Sequence, residues 1–199
     1  EGAGPLELAR RLKNNGLIKK LIVGPNYYPD QINFPEIDIY VVPSDSIITY
    51  YQDIAPKQAP RCRVWPAGVD SKYWAPINDA YKSSKNVLVY WKTEEENFCI
   101  LVESTLRKYG WQPIRLCYGT YTQPQYKQLL TQCRFAVFIS RSESQGIALA
   151  ESWSMDIPTL PWNPHEAHVR GHVHNYLVSC PYLNQYLGAD WKTIPELEN

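Results

Sequence analysis

Residues 135–162 follow the pattern of a strand, a polar turn, a helix and a second strand. The apolar run 135–139 predicts a buried strand, residues 140–146 form the turn, and a helical pattern begins at Ile147 before a short strand at 157–160. This is a βαβ unit, and in parallel α/β sheets ligands bind where a strand ends. The turn at 140–146 is therefore the first place to expect a functional site.

The chain before this unit alternates between strands and helices. Residues 86–91 and 114–118 predict strands, and a helix between them is predicted to begin at a capping box of Thr93 and Glu96 and to stop at Gly110. A further helical pattern leads into the strand at 135–139. Such alternation predicts a parallel, doubly wound α/β sheet.

The first part of the chain contains fewer elements. Residues 5–15 predict a helix, and residues 20–24 and 37–42 predict strands, which together resemble the tail of a Rossmann-like domain. A polar segment at 81–85 reads as a linker. We therefore expect two domains, over residues 1–80 and 81–199.

The turn at 140–146 contains residues suited to a nucleotide sugar. The first amides of a helix have no partner within it and favour anions, and Gly146 would let a diphosphate approach the backbone. Glu143 and Glu151, on either side, are suited to accept hydrogen bonds from sugar hydroxyls or to face a developing positive charge. In the alternative interpretation both carboxylates are merely solvated and Gly146 only caps the turn.

The segment ESQGIALAE, from Glu143 to Glu151, resembles the E-x7-E signature of retaining, GT-B-fold glycosyltransferases of the family 4 type. The spacing of the glutamates, the glycine, the small residues and the later Pro158 agree with that signature. Gln145 replaces its usual aromatic residue, and Asp156 replaces its usual glycine. Residues 63–70, RVWPAGVD, resemble the crossover between the two halves of such enzymes.

The resemblance implies roles for particular residues. Glu143 would contact the donor sugar, Glu151 the ribose hydroxyls, and Gln145, Gly146 and Ile147 the donor nucleotide. The donor would be a UDP-sugar or a GDP-sugar, and neither a metal ion nor another cofactor would be required.

Two further positions follow from the same resemblance. Lys92 matches the first residue of a basic pair that neutralises the departing diphosphate, but the second position of the pair is Asn97. Gly119 and Tyr121 match a turn that meets the base and ribose, with Tyr121 stacking on the base. The alternatives are a solvated lysine at a strand end and a tyrosine engaged in ordinary packing.

The segment PHEAHVRGHVH, at 164–174, invites a metal-site interpretation. Its histidines do not follow H-E-x-x-H spacing, no cysteine lies nearby, and Gly171 disfavours a continuous helix. The sequence therefore favours a polar loop and predicts no metal site.

Composition limits the remaining possibilities. A formal net charge of zero gives no reason to expect nucleic-acid binding, and no apolar run approaches the roughly 20 residues needed to cross a bilayer. The odd number of cysteines, widely spaced in apolar patterns, indicates reduced thiols. These features predict a soluble, cytoplasmic protein without a transmembrane segment.

We therefore expect a glycosyltransferase that moves a sugar from a nucleotide-diphosphate donor to an unknown glycan, lipid or protein, with retention of configuration. Because only about two strands are predicted before Ser44, the acceptor half looks shortened, and we expect nucleotide binding with negligible sugar transfer by these residues alone. The alternatives are a non-catalytic nucleotide-sugar binding or interaction module and a GT-B-fold epimerase or phosphorylase.

Overall fold

The computed structural model describes residues 3–25, 28–76 and 80–198, which form two compact units divided after Ala67. The predicted boundary after residue 80 lies further along the chain than this division. The reason is packing: Trp74 and Tyr81 are buried in the core of the second unit, and Val69 packs against the same core. The segment from Gly68 onward therefore belongs with the residues that follow it.

The first unit contains a parallel sheet in the order β1-β2-β3. Its strands are β1 (Ile22–Val23), β2 (Ile39–Val42) and β3 (Cys62–Val64), and its helices are α1 (Ala3–Asn14) and α2 (Asp45–Ile54). The two strands and the first helix predicted here are confirmed, with β1 shorter than expected.

The second unit is built on a four-stranded parallel sheet in the order β5-β4-β6-β7. Its strands are β4 (Asn86–Trp91), β5 (Gln112–Cys117), β6 (Phe135–Ile139) and β7 (Thr159–Trp162). Helices α3 (Glu96–Lys108), α4 (Gln123–Leu130) and α5 (Ile147–Ser154) connect successive strands. The predicted parallel α/β sheet is confirmed.

The strands of this sheet send alternate side chains to opposite faces. Val87 and Val89 of β4 pack with Val102 of α3, whereas Leu88 and Tyr90 pack with residues of α4 and α5. This alternation is the period of a pleated strand buried on both sides. It explains why β4 and β6 appear in the sequence as continuous apolar runs.

Two details of the local predictions are wrong. The capping box at Thr93 is not formed, since α3 begins at Glu96 after Glu95, and the Thr93 hydroxyl instead accepts a hydrogen bond from the backbone amide of Arg141 at 3.2 Å. Strand β7 begins at Thr159 rather than at residue 157. Asp156 adopts a left-handed backbone conformation with φ of 61°, which turns the chain before β7.

The remaining elements extend the second unit. Strands β8 (Ala167–Val169) and β9 (His172–His174) form an antiparallel hairpin, and α6 (Ile194–Glu198) lies near the end of the chain. Within the described residues, no helix has both the length and the apolar character that crossing a bilayer requires.

Candidate functional site

The strand order places a crevice between β4 and β6. From β4 the chain moves through α3 to β5 on one side, and from β5 it crosses through α4 to β6 on the other side. Where successive connections leave in opposite directions, the loops at the carboxyl ends of the strands separate and a ligand can enter between them. Lys92 directly follows β4, and the turn at 140–146 directly follows β6.

Lys92 and Glu143 form an ion pair across this crevice. The Lys92 Nζ donates to both carboxylate oxygens of Glu143, each at 2.8 Å, and the two side chains are 24% and 14% exposed. The ammonium also lies 4.8 Å from the centre of the Tyr118 ring. The positive charge of Lys92 is therefore balanced by a carboxylate of the protein itself.

A second ion pair ties the same two loops together. The Arg141 Nε lies 2.7 Å from a carboxylate oxygen of Glu94, and the Arg141 guanidinium lies over the Trp162 ring, 5.0 Å from its centre. Together with the Thr93 contact, these interactions fix the loop after β6 against the loop after β4. The position of Glu143 relative to Lys92 is thus held by neighbouring contacts as well as by their own pairing.

Gly146 begins the helix that lies beyond the turn. Its φ of 61° is in the left-handed region, and a Cβ there would lie 3.2 Å from Leu149 Cδ1. Only glycine adopts this conformation without a steric penalty, and here the neighbouring side chain leaves little room for another residue. The first amides of α5 follow directly, and such amides have no partner within the helix.

Glu151 is a buried carboxylate on α5. It is 7% exposed, and it forms no hydrogen bond or ion pair with any residue that the structure describes. Removal from water disfavours its ionised form and raises the pKa of Glu151 to about 7. Glu151 therefore has unused hydrogen-bonding capacity at physiological pH.

These groups surround one cavity of about 290 Å³, which we call the first cavity. Seven of the predicted site residues line it, namely Lys92, Tyr121, Glu143, Gln145, Gly146, Ile147 and Glu151. Gly119 is not among its lining residues and lies in the turn after β5. Lys92 and the E-x7-E pair of Glu143 and Glu151 thus lie around one cavity.

One wall of the first cavity is formed by tyrosines. The Tyr121 hydroxyl is 2.8 Å from that of Tyr90, and its ring packs against Tyr90 and Tyr126. Tyr118, which the sequence analysis did not select, is 58% exposed and also lines the cavity. The sequence feature that could have identified Tyr118 is its position directly after β5.

Asn97 and the histidines lie away from this arrangement. Asn97 is exposed on the first turn of α3 and does not line the first cavity. The hairpin of β8 and β9 contains three of the histidines, in place of the predicted loop. Across the described residues, no three His, Cys, Asp or Glu side chains converge as a metal site would require.

No protein-family model matches the chain, and no curated protein matches it significantly.

Proposed function

We propose that the second unit is the donor site of a retaining glycosyltransferase, which binds a UDP-sugar or a GDP-sugar and transfers its sugar. The observation that supports this proposal is the convergence of Lys92, Glu143, Glu151 and the start of α5 on one cavity at the switch point of a parallel sheet. The GT-B fold and the reaction belong to the proposal, since they rest on the resemblance of the E-x7-E segment.

Each group has a role that suits its surroundings. The diphosphate would lie against the first amides of α5 and Lys92, which supply positive charge. Glu151, buried and without a partner among the described residues, would accept hydrogen bonds from the ribose hydroxyls. No metal ion is needed for these contacts.

The ion pair gives Glu143 a role that changes during binding. In the free protein Glu143 neutralises Lys92. A diphosphate that takes over Lys92 would release the Glu143 carboxylate to face the donor sugar. There it would stabilise the positive charge that develops on the sugar as the bond to the diphosphate breaks, while the acceptor attacks on the same face.

A second candidate function is a non-catalytic nucleotide-sugar binding module. The observation that favours it is that Lys92 is the only lysine or arginine among the described residues that line the first cavity. Stabilising a departing diphosphate normally takes more than one positive group, and Asn97 supplies none. A single, already neutralised lysine suits binding better than it suits rapid transfer.

An assay of nucleotide release separates the two candidates. The chain is incubated with UDP-sugars and GDP-sugars, with water or simple glycosides as acceptors, and the released sugar is examined by NMR for its anomeric configuration. If the chain is a transferase, it releases the sugar slowly with its anomeric configuration retained. Lys92→Ala should abolish this release. A binding module gives saturable binding without release.

Lys85 provides the matched control. It directly precedes β4, at the opposite end from Lys92, and its ammonium lies over the Trp111 ring. Lys85→Ala should leave both binding and release unchanged. If neither binding nor release is seen with any donor, both candidates are wrong.

A further inference from the structure

A second cavity lies beside the first and is separate from the position of the Lys92–Glu143 pair. Its volume is about 410 Å³, within the range of about 300–1,000 Å³ typical of small-molecule sites. The segment 68–74 forms one side of it, and Gln123, Ile147 and Glu151 form the other. All of its lining residues belong to the second unit.

Glu151 lines both cavities and is the strongest indication that the second one binds a ligand. A carboxyl group that is removed from water without a hydrogen-bonding partner destabilises the folded protein. Glu151 is 7% exposed and has no such partner among the described residues. A ligand that donates hydrogen bonds to it would relieve this cost.

Asp70 supplies a second acceptor on the opposite wall. One of its carboxylate oxygens accepts hydrogen bonds from the amides of Lys72 and Tyr73, at 3.0 and 3.1 Å, which fixes the side chain in place. Its other oxygen accepts none from the residues that the structure describes. The amide side chain of Gln123 can both donate and accept.

The remaining walls are aromatic and apolar. The rings of Tyr73 and Trp74 meet edge to face at 5.2 Å, and Trp74 in turn meets the ring of Tyr126 at 5.7 Å. Tyr73 remains 38% exposed. Such aromatic surfaces pack against the C–H faces of sugar rings, while the carboxylates and the amide suit the hydroxyls.

The charge of the second cavity limits what it accepts. It is lined by two carboxyl groups, and none of its described lining residues is lysine or arginine. Phosphates and carboxylates would be repelled. The Lys127 ammonium lies 4.4 Å from the centre of the Tyr73 ring, which disfavours a cationic ligand at this wall. The ligand that suits these walls is therefore uncharged, donates several hydrogen bonds and carries apolar patches.

We infer that the second cavity binds an uncharged pyranose sugar, with its hydroxyls donating to Glu151 and Asp70 and its ring lying against Tyr73. Sugar binding here needs no nucleotide, but a nucleotide bound in the first cavity would compete for the Glu151 carboxylate. A sugar site and a nucleotide site would share only the wall formed by Gln123, Ile147 and Glu151.

The test is titration of the full chain with the methyl glycosides of glucose, mannose and galactose, followed by backbone amide chemical shifts in NMR. At least one glycoside is expected to bind with millimolar affinity and to shift the amides of Asp70, Tyr73 and Trp74. Asp70→Asn retains the oxygen that holds the turn, but removes the charge. Tyr73→Ala removes the exposed ring, and Glu151→Gln keeps the shape of the shared wall.

Each of these three variants should weaken binding by about tenfold, the effect of losing one good hydrogen bond or ring contact. Lys85→Ala, which alters neither cavity, should leave sugar affinity unchanged. The inference is overturned if no glycoside shifts these amides, if the three variants bind as the unaltered chain does, or if ammonium or calcium ions shift them and sugars do not. Failure of nucleotide binding alone would not affect it.

Discussion

At the scale of single residues, the Lys92–Glu143 pair is the feature that most affects ligand binding. A diphosphate must compete with the Glu143 carboxylate for Lys92, because that carboxylate holds the ammonium through both of its oxygens. Glu143→Gln removes the competing charge. We expect about tenfold tighter binding of UDP or GDP in calorimetry, in line with the strength of a charged hydrogen bond, together with loss of any sugar transfer.

Glu143→Asp is a useful comparison, since it keeps the charge but shortens the side chain. Its affinity for nucleoside diphosphates should be closer to that of the unaltered protein than the affinity of Glu143→Gln is. Weaker nucleotide binding by Glu143→Gln would show that Glu143 supports the diphosphate site instead of competing with it.

Glu151 gives the protein a predictable dependence of stability on pH. Between its ordinary pKa of 4.5 and its folded pKa of about 7, folded Glu151 holds a proton that the unfolded chain releases. The free energy of unfolding should therefore fall as pH rises through this range, by about 3 kcal/mol in total. This stability is fully present below pH 4.5.

Glu151→Gln removes this titration while keeping the size of the side chain. Subtracting the unfolding free energies of the variant from those of the unaltered protein at each pH isolates Glu151 from the histidines. The variant should gain in relative stability from pH 4.5 to 7. A constant difference across this range would contradict the buried, unpartnered state of Glu151.

Sequence spacing located the residues of the first cavity but not their partners. The turn of the βαβ unit and the resemblance of the E-x7-E segment indicated Glu143 and Glu151, and the resemblance alone indicated Lys92. The pairing of Lys92 with Glu143 depends on how close two loops from neighbouring strands approach. The local sequence of neither loop indicates how close the two loops approach each other.

At the scale of elements, the start of α5 depends on Gly146. A Cβ there would combine a left-handed conformation with a contact of 3.2 Å to Leu149 Cδ1. Gly119 provides the control, because its φ of 80° is also left-handed but a Cβ there would meet nothing within 4 Å.

Both glycine-to-alanine changes should lower stability by about 1–2 kcal/mol through the backbone alone. Gly146→Ala should lose more than Gly119→Ala, and it alone should weaken nucleotide binding. Equal losses in chemical denaturation would show that Leu149 moves aside at no cost.

The predicted elements were most accurate where the apolar run was longest. Strands β4 and β6 have the bounds that the sequence indicated, because both faces of the sheet are covered and the runs are uninterrupted. The prediction of β7 was two residues early because Ile157 is buried before the strand begins. The left-handed conformation of Asp156 turns the chain between Ile157 and the end of α5.

The start of α3 is a place where the local sequence motif gave a wrong prediction. Thr93 and Glu96 have the spacing of a capping box, but the Thr93 hydroxyl binds Arg141 and the Glu96 carboxylate binds Arg115 at 2.8 Å. Both partners are distant in sequence. Tertiary contacts therefore decide this helix start over the local motif.

At the scale of the whole molecule, the division after Ala67 assigns both cavities to the second unit. A fragment of residues 68–199 should fold cooperatively and bind a nucleoside diphosphate with the affinity of the full chain.

A fragment of residues 81–199 lacks Trp74, which is only 3% exposed. Loss of a buried tryptophan should make it less stable by about 3–5 kcal/mol in urea denaturation. Equal stability of the two fragments would favour the boundary predicted from the polar segment at 81–85.

The central claim is that a nucleoside diphosphate binds in the first cavity. Isothermal titration of UDP and GDP into the full chain tests it most directly, with Lys92→Ala and Glu151→Ala as site variants and Lys85→Ala as the control. We predict saturable binding of at least one nucleotide to a single site, weakened by about tenfold or more in both site variants and unchanged in the control. Absence of binding for both nucleotides, or equal affinity in all four proteins, would contradict the claim.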